Sequence, residues 1–522
     1  MARLKVVNYA VNGAGVGHLT RLVAINRWLR RYAQFLGLKL EIYFLTSSEA
    51  EGLLLKEQFA SFKMPSKTLV DRSGIDKLSY LALAKQWVWH SLGLLRPDLL
   101  VVDTFPRGSF GELLSALDLA RQRAFVYRPC KDEFAARPDF QSMLPLYDAL
   151  LVPEHCEVAR VRVPEVCQDR LHYFGPVVSR ESWELLTREQ ARRQLGIADD
   201  HLALYVSAGG GGDPDAERHL ESWIAAAREL PWLHLVVAAG PLYTGPPHHG
   251  PRLTWLQSWG TSVFLPAIDL ALVAAGYNTC NELWQAGVPA LYLPQEKVAD
   301  EQHQRALRAV QCGAGALFEG ELSAALEPWR NLEKRQRASQ AARQLMPRSY
   351  ARDCALELLR LLVPAGQVEL AERGLDESVL ARSGDFSGLC DLLHAWGELP
   401  RRGVERLLEL CLELQQQALQ CPQLERWAQL WSQKFERFPA LARARAFMQL
   451  LPSLQGHTHP EAITTFLRLL VREREQPPEE AAASLQRVLE RGDEPYALVR
   501  RMSELQATQS RWLSNRALLE QL

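Results

Sequence analysis

Three stretches of this chain combine residue types and spacings suited to holding a phosphorylated ligand. The first is GAGVGH at 13–18, between an apolar run and a helical pattern, where Gly15 and Gly17 let backbone N–H groups approach an anion at a helix N-terminus. Gly13, Gly15 and Val16 match the start of a dinucleotide fingerprint, but its sixth position is His18, and no acidic residue closes the next apolar run near Thr46. Both departures argue against a nicotinamide cofactor. The second stretch is SAGGGGD at 207–213. Successive glycines cost conformational entropy on folding, so Gly209, Gly210 and Gly211 read as a phosphate cradle, with a flexible surface turn as the alternative. The adjoining Asp213-Pro214-Asp215 has the D-x-D spacing of a metal site, yet it falls in a loop without an evident third ligand and reads as a solvated turn and helix cap.

The third stretch, AAGYNTCNELWQAGVPALYLPQEKVADEQ at 274–302, is the most specific. An apolar strand ends, Gly276 turns the chain, and Asn278 and Thr279 offer donors where a helix begins, a position the helix dipole makes favourable for phosphate. Glu282 lies one turn on, along the face reached by Thr279, where a carboxylate can accept from two neighbouring ribose hydroxyls. Taken by itself, Glu282 equally suits a capping role at the helix start.

These loops need strands to present them. Apolar runs at 4–11, 38–45, 98–105, 124–129 and 149–154 alternate with helical patterns at 19–36 and 111–121, and a second series runs through 202–207, 233–238, 270–274 and 288–293. Such alternation predicts crossover units and parallel sheets. The expected architecture is α/β with two Rossmann-like domains facing a cleft: an N-terminal domain over 1–176, a second over 177–345, a return helix at 346–363, and an all-α appendage over 364–522. Beyond 345 strand signals cease, and the chain runs in helical periods with starts such as PQLERW at 422–427, without a legible repeat.

Composition narrows the classes. With 522 residues, 47% hydrophobic and net charge −1, the chain reads as about three ordinary globular domains rather than a disordered, collagenous or basic nucleic-acid-binding protein. Nine cysteines without any C-x-x-C pair argue against a zinc ribbon or disulfide framework and for reduced thiols in the cytoplasm. No run of 18 apolar residues or signal peptide is visible. The apolar stretch Tyr80–Leu95, with Trp87 and Trp89, reads as a buried helix, a peripheral membrane patch being its alternative. His248-His249, His457 and His459 read as exposed turns.

The 274–302 segment resembles the donor-binding motif of GT-B glycosyltransferases, in particular plant and animal UDP-glycosyltransferases and the bacterial lipid-linked N-acetylglucosaminyltransferase of peptidoglycan synthesis. Gly276, Asn278, Thr279, Glu282, Ala286-Gly287-Val288-Pro289, Pro294 and Glu301-Gln302 stand in the family's order, and GVGHLTR at 15–21 with SAGGGGD is similar to loops of uncharacterised bacterial glycosyltransferases. The resemblance covers residues 1–360. It implies that Gly276, Asn278 and Thr279 hold a diphosphate, Glu282 the ribose, and Glu301 with Gln302 the transferred sugar. It also implies that Trp255 stacks on uracil, with Trp259 close by and either residue equally suited to the core. His18 then corresponds to the base that deprotonates the acceptor hydroxyl, and Asp103, in LLVVDTF, to the carboxylate that orients it. Alone, His18 equally suits a phosphate or backbone contact. The chain departs from the plant pattern at Ala274, where a phosphate-binding His stands, and in a longer interval between Pro294 and Gln302.

The expected activity is therefore an inverting, metal-independent transfer of a sugar from a nucleotide sugar, a UDP-sugar by resemblance, to an acceptor hydroxyl of unassigned kind, whether lipid-linked, glycan, protein or small molecule. No further cofactor is implied. The alternatives are a nucleotide-sugar 2-epimerase on the same architecture, and a non-catalytic binding protein whose 364–522 helices recruit a protein partner.

Overall fold

The alternating apolar runs become two parallel sheets in the structure, a computed structural model that describes residues 3–11, 15–36, 38–207, 209, 216–297 and 300–374. The first sheet holds β1 (Leu4–Ala10), β2 (Leu40–Thr46), β3 (Ala60–Lys63), β4 (Leu99–Asp103), β5 (Gln122–Val126), β6 (Ala149–Val152) and β7 (Leu171–Tyr173). The second holds β8 (Leu202–Ser207), β9 (Leu233–Ala238), β10 (Leu253–Leu256), β11 (Leu270–Val273), β12 (Ala290–Tyr292) and β13 (Gly315–Leu317). Their orders are β3-β2-β1-β4-β5-β6-β7 and β10-β9-β8-β11-β12-β13, with parallel pairing throughout. Strands β4, β8, β9 and β11 are buried along their whole length, which accounts for their continuous apolar sequences under helices on both faces. Each sheet reverses strand order at its centre, between β1 and β4 and between β8 and β11, and ligands of open α/β sheets bind beyond the strand ends at that crevice. The two lobes and their covering helices form a GT-B architecture.

The longer helices are α1 (Gly17–Phe35), α2 (Lys77–Leu95), α3 (Arg188–Leu195), α4 (Ala216–Arg228), α5 (Tyr277–Ala286), α6 (Gln302–Gln311), α7 (Leu332–Leu345), α8 (Ala351–Arg360) and α9 (Ala365–Gly374). A buried amide pair fixes α1 on β1: Asn8 Nδ2 donates to Asn26 Oδ1 at 3.1 Å, and Asn26 Nδ2 returns a bond to Asn8 Oδ1 at 2.7 Å. Two expectations change. The helix expected at 111–121 is a series of turns ending in a 3-10 helix at Leu117–Leu119. Gly108 and Gly111 take positive φ, and the buried Glu112 carboxylate accepts from Tyr9 Oη and the backbone of Ser109 and Phe110, bonds that turn the chain locally. The stretch at 80–95 is buried on one face only: Tyr80, Ala84, Val88 and Leu92 face the core, while Leu83, Trp89 and Leu94 are exposed.

Contacts divide the chain into residues 1–30 with 39–363, which carry both sheets, and residues 31–38 with 364–522. The helices expected from 375 onward, with His457 and His459, lie outside the described residues. Among the described residues no helix is long and apolar enough to cross a membrane.

Candidate active site between two switch points

His18 sits in the first turn of α1, directly after the β1 loop, and Asp103 ends β4, so the central crossover of the first sheet brings them together. His18 Nδ1 is hydrogen-bonded to Asp103 Oδ2, and both residues are buried, at 8% and 1% exposure. Arg21, one turn further along α1, reaches the same carboxylate: its Nε donates to Oδ1 at 3.0 Å and its Nη2 to Oδ2 at 3.2 Å. Thr104 Oγ1 adds a bond to Oδ2 at 3.1 Å, from a backbone held at φ 62°, a sparsely populated conformation for a β-branched residue. Phe105 packs beside the imidazole with ring centroids 5.6 Å apart.

Burial pushes the His18 pKa down, Asp103 pulls it up, and Arg21 and Arg128 push it down again, leaving it below the ordinary histidine value. Burial opposes the Asp103 charge, but Arg21 and His18 outweigh it and hold the carboxyl at about 2. The carboxylate is thus ionised while the imidazole stays neutral near pH 7. With Nδ1 engaged by Asp103, Nε2 is the ring nitrogen left to take a proton.

Across the cleft, α5 begins after β11, at the switch point of the second sheet. Its N-cap is Gly276, with no side-chain cap, so the first-turn N–H groups lack the partner that a Ser or Asp would supply. Asn278 Nδ2 is buried and has no hydrogen-bond partner. A Cβ built on Gly17 would lie 3.6 Å from this nitrogen, so the starts of α1 and α5 meet across the two lobes. Glu282 Oε1 accepts from Ser179 Oγ at 2.5 Å; burial pushes its pKa up, and the Ser179 hydrogen bonds pull it back in part.

The cleft between the lobes encloses about 870 Å³ of empty space, part of it open to solvent. Gly209, Asn278, Thr279 and Glu282 line it, as do Val16 and Thr20 from the start of α1. Gly209 takes φ +100°, a conformation that requires glycine after β8. Gly15 lies in the loop before α1, whereas Gly210, Gly211, Asp213 and Asp215 fall outside the described residues. Trp255 is not among the lining residues. It stands on β10, packed against Tyr243 and His248, while Trp259 lines the cleft and comes so near Gly52 that a Cβ there would lie 2.9 Å from its Nε1. Glu301 and Gln302 open α6 apart from the lining. Gln302 Oε1 accepts from the Gln295 backbone at 3.0 Å, and the neighbouring Asp300 accepts from Arg128 at 2.6 Å and Arg305 at 2.9 Å. Among the described residues no group of three His, Cys, Asp or Glu could hold a metal ion.

Arg21 and Ser179 are site features that sequence reasoning missed, and Trp259, named there only as a neighbour of Trp255, is the tryptophan that lines the cleft. For Arg21 a signal exists, since positions 18 and 21 share a helix face. Ser179 carries no motif.

No protein-family model matches the chain. It is 31% identical over 139 residues to the UDP-N-acetylglucosamine--N-acetylmuramyl-(pentapeptide) pyrophosphoryl-undecaprenol N-acetylglucosamine transferase of Mycolicibacterium smegmatis, a match spanning 25% of this chain and 35% of that protein. The enzyme of the same name from Carboxydothermus hydrogenoformans is 27% identical over 158 residues, 28% of this chain and 42% of the relative. The match thus spans well under half the length of either relative. Among solved structures, the calicheamicin glycosyltransferase superposes with a TM-score of 0.48 at 18% identity, covering 69% of this chain and 99% of that one. By its two parallel sheets the chain has a GT-B-like fold, and over the stretches just given it is similar, at low identity, to bacterial N-acetylglucosamine transferases.

Proposed function

We propose that this protein transfers a sugar from a nucleotide diphosphate sugar to an acceptor hydroxyl, with inversion at the anomeric carbon and without a metal ion. One observation carries the reading: the start of α1, which bears the buried His18–Asp103 pair, meets the uncapped start of α5, where the unpartnered Asn278 amide would lie 3.6 Å from a Cβ on Gly17. Attack at the anomeric carbon needs a proton acceptor on one face and charge stabilisation for the departing diphosphate on the other. His18 Nε2 takes the proton of the acceptor hydroxyl as the new C–O bond forms. The bond from the anomeric carbon to the diphosphate oxygen breaks, and the charge passes to the N–H groups of Asn278, Thr279 and the loops at Gly15, Gly17 and Gly209. Asp103 stabilises the imidazolium. Glu282, which lines the cleft, accepts from the ribose. UDP-N-acetylglucosamine, which the relatives' names contain, is the first donor to try. Uracil recognition falls to Trp259, which lines the cleft.

The test is thermal unfolding with nucleotides. UDP should raise the melting temperature, a native-state ligand adding about 2.7 kcal/mol at a hundredfold excess over its Kd. Glu282→Ala should remove most of that shift, and EDTA should leave turnover within a few-fold. Stabilisation by NAD but not by UDP, dTDP or GDP overturns the reading, and epimerisation of a UDP-sugar without acceptor replaces transfer by the rival reaction.

A further inference from the structure

Asp103 serves two basic side chains at once. His18 and Arg21 lie three positions apart on α1 and both bind its carboxylate, Arg21 through Nε to Oδ1 at 3.0 Å and Nη2 to Oδ2 at 3.2 Å. Arg21 is 2% exposed, and its third nitrogen, Nη1, is buried without a hydrogen-bond partner. Its guanidinium also sits 5.3 Å from the ring centre of Tyr277, the first residue of α5. A buried arginine that spends its fork on one carboxylate and leaves an N–H unsatisfied is a poor device for packing, since an apolar side chain of like volume fills such space at lower cost. It is a good device for fixing a carboxylate, because the planar two-point grip defines the orientation as well as the charge.

The electrostatic effect has a definite sign. A carboxylate bound to histidine alone raises the proton affinity of the ring, and a second fixed cation on that carboxylate opposes the rise. The groups acting on His18 are Asp103 from the end of β4, Arg21 from α1 and Arg128 following β5, while Tyr277 and Asp300 act on Arg21 from the second lobe. We propose that Arg21 is a positioning residue: it clamps Asp103 in one orientation and offsets its charge, so that His18 stands neutral, with Nε2 free, near neutral pH. The proposal rests on the reading of His18 as the base.

The experiment titrates the His18 ring by nitrogen NMR in the full chain, its signals identified by their loss in His18→Gln, and follows UDP release from UDP-N-acetylglucosamine against pH. The wild-type midpoint should lie below the ordinary histidine value. Arg21→Met should raise it by about one unit, the acid limb of kcat moving with it. Arg21→Lys keeps the charge and loses the fork, so the midpoint should stay within a few tenths while kcat falls by roughly tenfold at unchanged KM for the donor. An unchanged midpoint in a folded Arg21→Met variant overturns the proposal. A wild-type midpoint at or above about 7 overturns it without any variant. If the midpoint moves as expected and the acid limb of kcat does not follow, Arg21 governs His18 and the reading of His18 as base is what fails.

Discussion

Under the proposed function, removing the His18 imidazole takes away the proton acceptor, while the nucleotide contacts at the start of α5 stay in place. His18→Ala should therefore keep the UDP-induced thermal shift and lower transfer by about 10²–10⁴-fold, the range for losing general-base help. Asp103→Asn should lower transfer as well, and the double variant should be little worse than His18→Ala, because groups acting as a unit cannot be removed twice. Weakened UDP binding with unchanged saturated turnover in His18→Ala would make His18 a phosphate contact. Both residues were legible because family motifs mark them. Arg21 shares a helix face with His18, but an arginine inside an amphipathic helix has the same local signature whether it faces solvent or a buried carboxylate, and only β4, more than eighty residues away, decides which.

The position of His18 depends on how α1 lies on β1, and the Asn8–Asn26 pair fixes that placement. Asn26→Ala strips Asn8 of a buried partner and should cost about 1–3 kcal/mol in urea unfolding, with turnover falling because α1 carries the base. Replacing both residues by apolar ones should cost less stability than the single change. A neutral Asn26→Ala would show that packing alone seats the helix. The central strands were readable because burial on both faces makes β4, β8 and β11 continuously apolar. Strands β3, β7, β10 and β13 are not legible in the sequence: all four are sheet edges, β7 and β13 have three residues each, and β3 alternates exposed and half-buried positions. The turns at 111–121 were misread as helix because Leu113, Ala116 and Leu117 mimic helical spacing, while the Glu112 carboxylate that bends the chain has no signature in sequence.

Between the lobes, Arg128 and Arg305 converge on Asp300. Burial works against this carboxylate, but Arg305 and Arg128 outweigh it and hold its pKa at about 2, below its ordinary 3.8. The unfolded chain therefore binds this proton more tightly, so the contribution to stability is complete above about pH 4 and is lost as pH falls through about 2, on the order of 2 kcal/mol in all. Asp300→Asn should flatten the fall in melting temperature across that window without removing it, since Asp103 titrates in the same direction. An unchanged slope would mean that the two arginines do not act on Asp300 in solution.

The hydrophobic clusters of the two lobes draw on separate stretches of chain, one from Val7 to Cys167 and the others from Val178 to Met346. Each lobe repeats the same strand order around its own interior. A substitution within one of these interiors leaves the other's packing in place, the lobes touching where Arg21 meets Tyr277. Under the proposed function, selection can then retune what the first lobe accepts while the second keeps its nucleotide, so that new pairings of donor and acceptor arise by drift in one half, or by exchange of halves, without a passage through an unfolded ancestor.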